Sequence, residues 1–415
     1  MGTRTFVNDR ASFLLSRNWR RGVDMPLALT VAALIVFGLI MLYSASFDFS
    51  FSEYGSATYM FKRQVRWLGL GLLAAFVLSL FDYHQWRRMV LPAMLVTIGL
   101  LVAVLLINEI RLGASRTLIN GSYQPSEVAK LMAVVYIAVW LYAKRQFLHD
   151  VTIGLIPLGV ILGIIGGLIY LQPDLSAAAT VFILGGLLFF LAGAEIRQIV
   201  LLLILAFVMG WVVVQFSVTG QDRVHSFLAG LQDPTTASYH VQRSFEAVIK
   251  GGILGVGLGK ADTKLTGLPF APTDSIFAVV AEEFGLFGAA LLISLYAALV
   301  WRGLVIARRA PDMLGTLLAS GMAFWIGIEA LINMSVMVGL MPFAGNALPF
   351  ISAGGSNLIS TLSAIGIMLN VSRQSSEHVT LAEDEWRSFG AVIDLRRRDG
   401  RRSVSRARRS QRPQR

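Results

Sequence analysis

The 415-residue sequence contains no cysteine. That excludes disulfides, thiolate metal sites and a cysteine nucleophile, while leaving the redox compartment open. Histidine is scarce as well: His84, His149, His225, His240 and His378 are scattered among loops and tails without the spacing of a metal site. No Walker lysine motif is present, so ATP is not the evident energy source. The shortage of charge says most. Only 15% of residues are charged against 55% hydrophobic, and mean hydropathy is +0.65. A soluble globular protein with an ordinary polar surface does not have this balance. The chain is expected to be an all-α polytopic membrane protein.

A membrane-crossing helix needs roughly 20 apolar residues. Runs of about that length lie near 26–46, 65–82, 89–107, 125–142, 152–171, 174–193, 198–217, 273–303, 314–340 and 356–372. About ten spans put both termini on one side. The first run starts behind Arg17, Arg20 and Arg21 and is long enough to stay in the bilayer, so no cleavable signal peptide is expected. Arg87 and Arg88, Lys144 and Arg145, Arg197, and Arg302, Arg308 and Arg309 fall in alternate short connections. By the positive-inside rule these and both tails are cytoplasmic. Lys62, Arg63 and Arg66, at the start of the second span, run against this pattern. The expected organisation is a tail over 1–25, a ten-helix domain over 26–372, and a disordered basic tail over 373–415. That last segment holds much of the net charge of +11, and attraction to anionic lipid heads suits it better than nucleic acid.

This topology leaves one large extracytoplasmic loop, 218–272, between spans 7 and 8. Loops of that length are usually functional. Within it Val241, Phe245, Val248 and Ile249 share one helical face while Arg243, Glu246 and Lys250 share another. Two readings stay open: a helix lying on the membrane surface, or one packing on neighbouring spans. The run Gly255-Val256-Gly257-Leu258-Gly259 follows no strand and so is no dinucleotide loop. It suits close backbone approach to a ligand or a neighbouring helix.

Ionisable groups inside spans are few and therefore informative. Glu127 and Lys130 lie three residues apart on one helical face and can pair. Asp174 follows Gln172-Pro173 and can cap the sixth span. Asp274, after Pro272-Thr273, stands at the start of the eighth span beside the positive end of its dipole. It is either a plain N-cap or a proton acceptor. Glu282 and Glu283 lie about 12 Å further along at 1.5 Å per residue, too far to share its proton and better placed to support the site or the packing. Glu329 in the ninth span is ambiguous.

Four motifs carry a resemblance. They are Gln124-Pro125-Ser126-Glu127-Val128-Ala129-Lys130, Gln172-Pro173-Asp174-Leu175, Thr273-Asp274 with Phe277-Ala278 and Glu282-Glu283, and Leu348-Pro349-Phe350-Ile351-Ser352 with Gly354-Gly355-Ser356. Together, over roughly 26–373, they resemble the shape, elongation, division and sporulation (SEDS) family. The glycine block with Lys264-Leu265 and Leu268-Pro269 is closer to its FtsW-like branch than to its RodA-like branch. The resemblance implies a peptidoglycan glycosyltransferase of the bacterial cytoplasmic membrane that polymerises lipid II beside a class B penicillin-binding protein. It also implies that Asp274 is essential and that Glu127 and Lys130 matter for activity. The sequence departs from the family at Pro272, Ser275, Ala353, Leu112 and Thr117.

The implied reaction joins a sugar hydroxyl to an anomeric carbon as a lipid diphosphate leaves. One base near the hydroxyl and positive charge near the diphosphate suffice. Asp274 is the candidate base, and Arg243, Lys250, Lys260 and Lys264 are the candidate loop cations, Lys264 being the best matched to the family. A divalent cation, Mg or Mn, with Asp274 as its ligand is the alternative. A lipid II flippase and a noncatalytic scaffold for cell-wall synthesis are the rival functions.

Overall fold

The computed structural model describes residues 23–107 and 124–392. Twelve α-helices follow in order: α1 Met25–Tyr54, α2 Tyr59–Leu80, α3 Trp86–Ile107, α4 Pro125–Lys144, α5 Ile156–Tyr170, α6 Leu175–Leu191, α7 Ile196–Phe216, α8 Val218–Gln232, α9 Tyr239–Gly251, α10 Ile276–Arg309, α11 Met313–Met337 and α12 Gly355–Val392. Among the described residues eight helical segments are long and apolar enough to cross a membrane. The other two expected spans coincide with α6, apolar but 17 residues long, and with the first half of α12.

Helices α4 and α11 form the centre, with 67% of the most apolar stretch of each buried, whereas 6% of that of α7 is buried. The small residues of α4 and α11, Ala129, Ala133, Ala138, Ala319, Ala323 and Ala330, let neighbouring helices approach closely. At Gly366 the approach of α12 to α2 leaves no room for a side chain, since a Cβ there would lie 2.5 Å from the Ala75 carbonyl oxygen. At one end of the bundle Asp24 caps α1, accepting from Leu27 N at 2.9 Å, and pairs with Arg302 at 2.5 Å.

Several boundaries differ from the sequence reading. The second span starts at Tyr59, because the polar Lys62, Arg63 and Arg66 occupy its first two turns instead of a connection. The 218–272 loop is largely helical: α8 follows α7 after the single residue Ser217, whose hydroxyl caps it by accepting from Gly220 N at 3.1 Å. Its mixed polar and apolar composition, without an apolar run, hid this helix. Helix α9 matches the expected one, and it packs on α10 and α11, which favours the second of its two readings. Helix α12 continues to Val392, so the boundary drawn at 373 marks the end of the apolar pattern and not of the helix. The arginines before the first span, the departures at Leu112 and Thr117, and the last part of the basic tail lie outside the described residues.

Helix α10 is broken at Gly285 (φ 64°, ψ −158°), a conformation open essentially to glycine alone. An unbroken helix would pair the 286 and 287 amides with the Glu282 and Glu283 carbonyls. Here the glycine-rich strap takes both sides of those bonds. Val256 N and Gly257 N donate to Glu282 O and Glu283 O, each at 3.0 Å, while Leu286 N and Phe287 N donate to Gly252 O and Ile253 O at 3.0 and 3.3 Å. Gly255 (φ 81°) permits this contact, since a Cβ there would lie 2.2 Å from the Glu283 carbonyl oxygen. The run therefore approaches a helix, as one of its two sequence readings had it.

Candidate active site

Asp274 is not the N-cap of α10. That position is Ser275, whose hydroxyl donates to the Pro269 carbonyl at 2.8 Å. Asp274 lies one residue earlier, in a tight turn closed by Thr273 N and Ser275 N on the Phe270 carbonyl at 2.9 and 3.3 Å. Three successive carbonyls of this turn are then held from outside it. Pro272 O accepts from Ala353 N at 2.8 Å, Thr273 O from Ser352 Oγ at 2.6 Å, and Asp274 O from Asn333 Nδ2 at 2.9 Å. Asn333 also donates to Asn346 O at 2.5 Å, so one amide on α11 joins the turn to the segment before α12. Backbone carbonyls inside a bundle need such partners. Meeting that need here fixes Asp274 against α11 and the 345–354 segment.

The Asp274 side chain lines a cavity of about 360 Å³. Five segments at this end of the bundle contribute to its wall. Phe49, Tyr54, Arg63, Gln64 and Trp67 come from the α1–α2 hairpin, Gln124 and Glu127 from the start of α4, and Asp174 from the turn before α6. Thr273 and Asp274 precede α10, and Gly345, Asn346 and Asn357 come from the segment entering α12. Gln64 seals the hairpin against that segment, donating to Ser352 O at 3.1 Å and accepting from Gly354 N at 3.2 Å. The wall is polar at the level of the helix termini and aromatic beside the hairpin.

Two neighbouring acids are committed to their surroundings. Asp174 caps α6, accepting from Ala177 N at 3.3 Å, and also accepts from Gln124 Nε2 and Ser126 Oγ, both at 3.1 Å. Glu127 accepts from Lys130 Nζ at 2.9 Å through one oxygen and from Asn357 Nδ2 at 2.9 Å through the other. The expected Glu127–Lys130 pair is present, and Glu329 shares the same ammonium. Among the described residues no group of three His, Cys, Asp or Glu converges to hold a metal. Asp174 and Glu127 beside Asp274 are already engaged, so the described donors do not fit a resident divalent ion.

The expected loop cations lie elsewhere. Lys264 is buried against Glu283 at 2.8 Å and Ser44 Oγ at 2.9 Å, beside a separate apolar hollow formed with α1 and α2. Arg243 pairs with Glu246 and donates to Thr266 O; Lys250 bridges Glu246 at 3.0 Å and Asp262 at 3.2 Å. These bonds, from Lys250 and then Arg243, hold the Glu246 carboxyl below its usual range. Lys260 is exposed in the strap. Glu282 takes the amides of Asp262 and Thr263 at 2.9 and 3.2 Å, and Glu283 takes Ser44 Oγ at 2.5 Å. Both glutamates hold the loop to the bundle. Among the described residues the cation lining the Asp274 cavity is Arg63. Its signal in the sequence was the misfit with the positive-inside pattern. Asn357 follows directly on the Gly354-Gly355-Ser356 motif, and Asn333 had no signal at all.

The profile of the FtsW/RodA/SpoVE family, described as cell cycle proteins, matches residues 25–377. The chain belongs to that family. It is 37% identical over 353 residues to a probable peptidoglycan glycosyltransferase FtsW of Geobacter metallireducens, covering 84% of this chain and 94% of that protein. It is 35% identical over 358 residues to the stage V sporulation protein E of Bacillus subtilis, covering 85% and 97%. In structure it matches a chain of a peptidoglycan synthase complex that coordinates polymerization and crosslinking. That match has a TM-score of 0.71 at 29% identity and covers 85% of this chain and 98% of the other. The rod shape determining protein RodA of Thermus thermophilus matches with a TM-score of 0.63 at 27% identity, covering 86% and 99%. Two departures from the family pattern, Pro272 and Ala353, face each other through their backbones in the clamp that holds Asp274. Their bond needs neither side chain.

Proposed function

We propose that the protein is a peptidoglycan glycosyltransferase that polymerises lipid II, the undecaprenyl-diphosphate-linked disaccharide peptide, at the outer face of the cytoplasmic membrane. One observation carries this reading: in a chain of this family, Asp274 lines a polar cavity to which five segments of one end contribute. A carboxylate there has room for a sugar beside it. Asp274 accepts the proton of the acceptor hydroxyl as the oxygen bonds to the anomeric carbon, and the bond from that carbon to the diphosphate breaks on the opposite side. One such displacement inverts an α donor to a β linkage. Arg63, which lines the cavity, meets the charge that develops on the departing diphosphate. A class B penicillin-binding protein that crosslinks the strands is the partner that suits such a product. A divalent cation, if the reaction uses one, arrives with the diphosphate, since among the described residues no cluster of acids or histidines converges to hold it.

The test is purified protein with lipid II, comparing Asp274→Asn with the wild type. The variant is expected to fold normally and make no glycan polymer. Polymer from Asp274→Asn at the wild-type rate rejects the reading. Translocation of lipid II across liposomes without polymer by either protein supports the flippase instead.

A further inference from the structure

Glu329 is fully buried in the middle of α11 and takes no part in the steps above. Its Oε1 accepts from the Lys130 ammonium, which also donates to Glu127 Oε1 at 2.9 Å. Asn357 Nδ2 donates to Glu127 Oε2 at 2.9 Å and reaches Glu329 Oε2 at 3.4 Å. One ammonium and one amide thus tie together two carboxylates from α4 and α11. Glu127 and Asn357 line the Asp274 cavity, whereas Lys130 and Glu329 lie behind that wall.

The charge count of this cluster is what packing does not explain. Glu127 and Lys130 alone are neutral. A second acid inside a bundle is costly, and an apolar residue of similar volume serves packing as well or better. A shared cation changes what Glu127 presents to the cavity. With Lys130 divided between two acids, Glu127 is only partly neutralised, and a carboxylate facing a negative wall is a stronger base.

We propose that Glu329 is a positioning residue of the transferase site: it draws the Lys130 ammonium back from the cavity, so that Glu127 keeps the wall opposite Asp274 negative. The inference rests on Asp274 as the base. Among the described residues the other charged or titratable groups facing the cluster and its cavity are Asp174, Arg63 and Tyr54, with Tyr296 on α10. The Tyr296 hydroxyl is engaged with the Pro349 carbonyl.

The test uses the full chain carrying Glu329→Gln or Glu329→Asp, with polymer formation followed against lipid II concentration and pH. Glu329→Gln is expected to keep KM within about twofold, to lose about tenfold in kcat, and to move the acid limb of the kcat profile to lower pH. Glu329→Asp recovers most of the rate and the wild-type limb. A Glu329→Gln enzyme with the wild-type profile, or one whose loss merely tracks the amount of folded protein, overturns the proposal. A thermal-unfolding cycle of Glu329→Gln with Lys130→Met reads the pairing without activity. Glu329→Gln is expected to restore part of the Tm that Lys130→Met loses, and additive shifts overturn the pairing. If the wild type makes no polymer, the polymerase reading and the transferase role of Glu329 fall together, and any coupling in the cycle is then structural only.

Discussion

His240 shows at the scale of one residue how the loop is held over the bundle. Its ring stacks on Phe343 at 4.2 Å between centroids and lies parallel to Phe270 at 6.0 Å. Burial first, and the Arg223 charge second, push its pKa below the usual value. The imidazole is therefore neutral in the fold, with Nδ1 buried and lacking a partner among the described residues. The unfolded chain takes up a proton as pH falls past about 6.5, whereas the folded chain resists. Stability present above that pH is thus lost as pH falls from about 6.5 towards the lower folded value. Melting temperatures of the wild type and His240→Phe, recorded from pH 7.5 to 5.5, check this. The wild type is expected to lose ground to the variant over that window, because every other titrating group is common to both, and parallel curves would contradict it. The loop contact matters to the site because Phe343 lies two residues before Gly345, whose backbone abuts the Asp274 carboxylate.

Among the elements, α10 and its glycine strap carry the tightest coupling of local conformation to tertiary structure. The break at Gly285 exposes two carbonyls and two amides, and the strap satisfies all four. Alanine at 285 forces a side chain onto a φ of 64°, with its Cβ 2.5 Å from both Gly255 N and Ile253 O. Gly285→Ala is expected to lose about 2 kcal/mol or more, by strain and by displacement of the strap. Deuterium exchange should then rise at Val256, Gly257, Leu286 and Phe287 ahead of the rest of the bundle, whereas unchanged protection there would count against the strap. Legibility in the sequence follows the same division between local and non-local causes. The apolar runs, the face of α9 and the Glu127–Lys130 spacing are local patterns that a linear reading detects. The break in α10 is not, because Glu282, Glu283 and Gly285 also fit an unbroken helix and only a strap thirty residues upstream makes the break favourable. Lys264 was preferred on its match to the family, and that linear signal does not tell which side chains share the cavity of Asp274, where Arg63 lies.

The whole molecule brings five connections, far apart in sequence, to one end, and the direction of that end decides whether the site meets substrate outside the cytoplasm. At the opposite end lie Arg87, Lys144, Arg145, Arg302, Arg308 and Arg309, with Arg87 and Arg145 stacked on Tyr142 at 4.9 and 4.8 Å. At the Asp274 end Lys250 and Lys264 are paired with acids and the Arg63 guanidinium lines the cavity, whereas Lys62, Arg66 and Lys260 are exposed, so the alternation rests on the short connections of the opposite end. By the positive-inside rule the Asp274 end is expected to face away from the cytoplasm. The absence of cysteine makes the direction directly measurable, since any thiol introduced is the sole target of a reagent. Thr235, in the exposed turn between α8 and α9, and Gln146, in the exposed connection after α4, lie at opposite ends of the bundle. In spheroplasts a membrane-impermeant maleimide is expected to label Thr235→Cys at once and Gln146→Cys only after lysis. The reverse order would place the Asp274 cavity on the cytoplasmic side. The cavity would then face the leaflet in which a lipid-linked precursor has yet to be flipped, and polymerisation at the outer face would have to be abandoned even with the geometry around Asp274 intact.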